Sequence, residues 1–154
     1  MKPAFRLCKT KHLASAMAGE GVRLAGGRWN SPGLPVVYAA SSLSLATLEV
    51  MVHLEEIEVF YHLFSWLGLE IPEIIIEPLD ITHLPDGWHS DETNAAARAV
   101  GDQWLLSMKS AVMAVPSVVT EGEKNYLLNP RHQDFQQIRV APAQRFRPDP
   151  QLKK

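Results

Sequence analysis

Residues 21–54, GVRLAGGRWNSPGLPVVYAASSLSLATLEVMVHL, carry the local signals that set the architecture of this chain. Asn30-Ser31-Pro32-Gly33 is a turn signal, with Pro32 fixing its own dihedral and Gly33 free to take a positive one. Val36-Val37-Tyr38-Ala39 then reads as a short strand. Ser41 or Ser42 can cap a helix over 43–54, which is apolar on most sides and so is expected to be buried. Ahead of the turn, Gly19, Gly21, Gly26 and Gly27 predict a flexible stretch in which backbone can approach a ligand closely.

Outward from this strand–helix unit, residues 3–20 read as a strand or turn followed by a short helix or loop. β-Branched residues predict strands at 57–63 and 74–76, with a helix as the alternative over 57–63. Residues 84–88 are a loop, and 92–108 a helix with Ala97, Val100, Trp104 and Leu105 near one face. Residues 111–119 predict a strand in which Pro116 marks an edge or a bulge. Glu121–Lys124 turns, Tyr126–Leu128 extends briefly, and Asn129-Pro130 stops it. Residues 135–140 give a helical turn and a last strand, and 148–154 a loose tail. Strands and helices without regular βαβ alternation favour an α+β fold, with a small mixed sheet and flanking helices.

The 154 residues suit a single domain, residues 1–154, with its core at about 5–147. A net charge of −2 gives no general drive towards nucleic acid or anionic membrane. Cys8 stands alone, so no internal disulfide can form, which fits a reducing compartment. The chain has no apolar run of signal-peptide type and none of the ~20 residues that span a bilayer. A cytoplasmic protein is expected. The six histidines show no zinc-site spacing, so no metal is expected.

Several residues are out of keeping with their surroundings. Arg23 and Arg28 flank Gly26-Gly27 and are either solvated surface cations or bidentate donors to phosphate. The glycines match neither G-x-G-x-x-G nor a P-loop. Tyr38, on an apolar strand, is either a core tyrosine or an aromatic face for a cationic ring. Glu49 sits at the centre of LSLATLEVMVHL, where a carboxylate needs a partner. His53, four residues on, could supply it, or the carboxylate could be held at the edge of a cleft. Ser117 lies in the apolar run VPSVV without a G-x-S-x-G elbow, so a serine hydrolase is unsupported.

Together, GGRWNSPGLPVVYAASSLSLATLEVMVHL and AVPSVVTEGEKNYLLNPRHQDF resemble the RES-domain toxins, over roughly residues 5–150. That family is named for an arginine, a glutamate and a serine. The resemblance implies a fold related to ADP-ribosyltransferases and a bacterial type II toxin that degrades NAD+. It also implies a cognate Xre-type helix-turn-helix antitoxin in a hetero-oligomeric complex. NAD+ would be the substrate, with no prosthetic group. The named residues would match Arg23, Glu49 and Ser117 as the catalytic set. Arg23, Arg28, Tyr38 and Asn125 would bind the dinucleotide, Arg23 at its pyrophosphate and Tyr38 stacked on nicotinamide. Alternatives are a protein ADP-ribosyltransferase and an inactive nucleotide-binding regulatory module.

Overall fold

The computed structural model describes residues 1–90 and 95–153. The strand expected at 36–39 forms one residue later, as β2 (Val37–Ala40). Its period of two sends Val37 and Ala39 into one apolar cluster and Tyr38 towards another. The helix that follows is α2 (Leu43–Met51), capped by Ser42, whose side chain accepts from the Leu45 amide. It stops short of residue 54 because the chain tightens into three-residue turns, His53 N to Val50 O and Leu54 N to Met51 O. Burial on most sides does not hold either. Leu45 and Ala46 are buried, but Leu48 and Val52 are 42% and 58% exposed.

β2, on which α2 packs, belongs to an eight-stranded mixed sheet among the described residues. Its other strands are β1 (Lys2–Lys9), β3 (Phe64–Ile71), β4 (Ile76–Pro78), β5 (Val112–Pro116), β6 (Lys124–Leu128), β7 (Arg139–Val140) and β8 (Gln144–Arg145). The order is β4-β5-β6-β2-β1-β3-β7, with β8 also against β3. The β4–β5 pair is parallel and the others are antiparallel. Among the described residues the α-helices are α1 (Glu20–Ala25), α2, α3 (Glu58–Leu63) and α4 (Ala95–Ser107). This is the expected α+β class.

Some expectations shift for identifiable reasons. Residues 58–63 form the alternative, a helix, and not the strand expected at 57–63; Phe60 packs there on Phe64, the first residue of β3, with ring centroids 5.2 Å apart. Phe60 also packs on Phe146 at 5.4 Å. The long strand starts only at Phe64. Residues 73–75 make a 3-10 turn that buries Ile75 and leaves Ile74 91% exposed, so the strand begins at Ile76. In the glycine stretch, residues 20–25 are helical rather than flexible. Pro116 closes β5 beyond the last β4 pairing, Pro78 with Ala114, so its missing N–H disrupts no bond on that side. The predicted helix start at 92–94 lies outside the described residues.

One join in the sheet matters for the site. β1 and β3 pair over eight positions, yet β1 and β2 share one register pair, Phe5 with Ala40. The strands part beyond it. Arg6 bridges the gap: its Nη1 donates to the Tyr38 carbonyl at 2.9 Å and its Nε to the Ala16 carbonyl at 2.7 Å. A side chain thereby replaces ladder bonds that the split removes. Burial holds this guanidinium below its ordinary range.

Candidate functional site

A cleft of about 1000 Å³ opens along the split. Small-molecule sites run to roughly 300–1,000 Å³, so this one suits a large ligand. It follows the seam between two apolar clusters. Phe5, Leu7, Val50 and Leu54 form one wall, and Val22, Trp29 and Tyr38 the other. Polar lining comes from Arg6, Arg28, Arg98, Glu49, His53, Ser90 and Asn125.

Glu49 reaches the cleft from the half-buried side of α2. Its Oε1 accepts from Ser117 Oγ and from Asn125 Nδ2, each at 2.7 Å. The other oxygen takes no hydrogen bond from a described residue. The carboxylate is therefore anchored on one side and available on the other. Its partners come from the end of β5 and from β6, where Val115 pairs with Asn125. His53 also lines the cleft.

Ser117 is 6% exposed and lies behind the carboxylate, not among the cleft-lining residues. Its hydroxyl donates to Glu49 and accepts from the Thr120 amide at 3.0 Å. That leaves it no free proton for a ligand. Asn125 donates to Glu49 while its Oδ1 is buried without a partner among the described residues. Rotating the amide would aim that oxygen at the carboxylate, so Glu49 fixes the orientation at the cost of an orphaned acceptor.

Tyr38 is held at its hydroxyl and also lines the cleft. Its hydroxyl donates to Asn30 Oδ1 at 2.6 Å and accepts from the Trp29 amide at 3.2 Å, as a core tyrosine would. Its ring nonetheless lines the cleft. Burial is the main cause of a phenol pKa well above the ordinary tyrosine range, so the hydroxyl stays a donor. Gly27 belongs to this packing: a Cβ there would stand 2.7 Å from the Tyr38 hydroxyl oxygen. At Gly26 it would lie 2.9 Å from the Asn30 carbonyl. These glycines permit close internal contacts, and both also line the cleft.

The two sequence-predicted arginines part company. Arg28 lines the cleft; Arg23 does not, and its Nε donates to Glu20 at 2.7 Å on the exposed surface. The cations that join Arg28 are Arg6 and Arg98, both missed from sequence. Arg6 had a readable signal, a charge inside the apolar strand Ala4-Phe5-Arg6-Leu7-Cys8. Arg98 had none, being one of two charged residues on α4, with Asp102. Among the described residues, no three His, Cys, Asp or Glu side chains converge on a metal position. No helix among them is long and apolar enough to cross a membrane. The cleft thus offers cations, an aromatic face and one tethered carboxylate to an anionic, ring-bearing ligand.

The RES domain pattern matches residues 3–149. A protein named Toxin Res from Photorhabdus laumondii is 40% identical over 131 residues, covering 85% of this chain and 83% of that protein. A Prs ADP-ribosylating toxin from Sphingobium is 33% identical over 142 residues, with 90% and 88% covered. The fold is similar to that in the M. tuberculosis MbcT-MbcA toxin-antitoxin complex, with a TM-score of 0.75 at 18% identity over 92% of this chain and 82% of that one. With the pattern spanning nearly all of the sequence and relatives similar along most of their length, the chain belongs to the RES domain family.

Proposed function

We propose that this protein is the toxin of a bacterial toxin–antitoxin pair and that it cleaves NAD+ at the nicotinamide–ribose bond. The observation that carries this reading is the Glu49 carboxylate, tethered through one oxygen by Ser117 and Asn125 and open to the cleft through the other. The chemistry needs one such group. As the C–N bond breaks, its electron pair passes to the pyridinium nitrogen, and nicotinamide leaves neutral without a general acid. Positive charge develops on the ribose. Glu49 stabilises that oxocarbenium character, which exists chiefly in the transition state and so raises turnover. A glycosidase acting on an oxygen leaving group needs a second carboxyl group as acid; this reaction does not.

Tyr38 presents its ring to the cationic nicotinamide, an attraction that ends when the ring leaves neutral. Arg28, with Arg98, holds the pyrophosphate in place of Arg23, which is outside the cleft lining. Ser117 acts through Glu49 and does not touch substrate. Water attacking the ribosyl carbon and losing a proton gives ADP-ribose. Inorganic phosphate gives the 1″-phosphate ester of ADP-ribose. Transfer to a protein side chain is a second reading, favoured by the name of the Sphingobium relative. The antitoxin is proposed to be an Xre-type helix-turn-helix protein that joins the toxin in a hetero-oligomer, in keeping with the toxin–antitoxin complex of similar fold.

The test is to make the protein by cell-free synthesis and incubate it with NAD+, with and without phosphate or a lysate protein fraction. Nicotinamide release and the identity of the ribosyl product are followed by chromatography. Release that Glu49→Ala abolishes supports the reading. No release under any condition, with NAD+ still bound, would instead favour a regulatory module.

A further inference from the structure

We propose that Asp102 on α4 is a positioning residue: through Ser31 it holds the 26–31 segment against the helix and so fixes Arg28 at the cleft. The functional part rests on the NAD+ reading above. The loop-holding part does not.

The two oxygens of Asp102 are both engaged by one residue of the loop. The Ser31 amide donates to Oδ1 at 2.8 Å and the Ser31 hydroxyl to Oδ2 at 2.6 Å. Hydrogen bonds to an ionised acceptor at such distances are roughly twice as strong as neutral ones. The segment's own interior bonds are longer. Asn30 is fully buried, yet its Nδ2 reaches the carbonyls of Val22, Ser31 and Leu34 only at 3.2–3.4 Å. Short contacts locate this segment from two sides: Tyr38 donates to Asn30 Oδ1 at 2.6 Å, and Asp102 of α4 holds Ser31.

Two more contacts lie along the same side of the helix. Arg98, one turn before Asp102, donates from Nε to the Gly27 carbonyl at 2.9 Å. Between them, Gly101 lets helix and loop backbones touch: a Cβ there would be 1.6 Å from the Trp29 carbonyl oxygen. Gly27, Trp29 and Ser31 are thus each fixed by α4, and Arg28 lies between the first two. Docking of α4 itself does not need Asp102. Ala97, Trp104 and Leu105 already bury the helix in the cluster that contains Trp29 and Val115. What the carboxylate adds is the position of the loop.

The experiment compares wild type, Asp102→Ala, Asp102→Asn and Ser31→Ala by NAD+ kinetics, melting temperature and amide hydrogen exchange. In Asp102→Ala the Ser31 amide is expected to exchange faster and KM for NAD+ to rise about 10-fold or more, with kcat within about threefold, because a displaced cation weakens binding more than bond cleavage. Asp102→Asn keeps an acceptor for the Ser31 amide and is expected to recover KM to within about threefold of wild type. A lowered melting temperature with unchanged KM would assign Asp102 a merely structural role and overturn the proposal, as would unchanged Ser31 exchange. If Asp102→Ala does not fold, Ser31→Ala, which removes one of the two bonds, carries the same KM test. A wild type that turns over no NAD+ refutes the proposed reaction, and Ser31 exchange then decides the loop-holding claim alone.

Discussion

Replacing Ser117 by alanine separates a serine that reacts from one that holds a carboxylate. Ser117 is 6% exposed, and its hydroxyl donates to Glu49 Oε1 at 2.7 Å and accepts from the Thr120 amide at 3.0 Å. A hydrogen bond to a charged group contributes about 1.5–3 kcal/mol. Glu49 keeps its Asn125 bond in the variant, so it loosens rather than loses its place. If the whole bond energy is expressed in the transition state, kcat/KM for nicotinamide release falls about 10- to 150-fold, at ~1.4 kcal/mol per factor of ten. Removing the carboxylate charge with Glu49→Gln should cost more, on the order of 10³-fold, as losses of transition-state electrostatic contacts do. The assay is steady-state nicotinamide release by both variants, with Ser117→Ala in the Glu49→Gln background closing a double-mutant cycle. Since Ser117 acts through Glu49, its removal should matter little once the charge is gone. A Ser117→Ala enzyme as inactive as Glu49→Gln, or additive losses in the double variant, would refute positioning and give the serine a direct role.

Further outcomes follow from the same geometry. Gly101→Ala drives a Cβ to within 1.6 Å of the Trp29 carbonyl oxygen, so helix and loop must separate; calorimetry should show a loss of about 2–3 kcal/mol, roughly 5–10 °C in Tm. Asn125→Leu removes an orphaned buried acceptor that costs about 1–3 kcal/mol but also one tether of Glu49, so Tm should hold or rise while nicotinamide release falls. The phenol of Tyr38 has its folded pKa raised, chiefly by burial, so its contribution to stability is complete below the unfolded value of about 10 and is lost as pH climbs above it. Tm should therefore decline above about pH 10, and Tyr38→Phe should flatten that decline. An unchanged slope would mean that other groups control the alkaline limb.

The sequence made Glu49 legible because a carboxylate amid LSLATLEVMVHL demands a partner, though that partner proved to be β5 and β6 rather than the next helical turn. The strand and capped helix around Tyr38 were legible for the same local reason: Ser42 and a period of two need no tertiary contact to be read. Long-range packing decided what was missed. Phe60 falls on a helix, where it packs on Phe64 and Phe146. Arg23 and Arg28 look alike in sequence, but Arg23 falls on α1 and pairs with Glu20, while Arg28 lies between residues that bond to α4. Gly26 and Gly27 line the cleft, and Gly27 also leaves room for the Tyr38 hydroxyl, a contact that no local pattern announces.

The central claim is that one tethered carboxylate drives cleavage of the nicotinamide–ribose bond, and nicotinamide release from NAD+ by wild type and Glu49→Gln tests it most directly. The prediction is rapid release by wild type and a loss on the order of 10³-fold in a variant whose melting temperature is preserved. Equal release by the two proteins, or none by wild type, would contradict it.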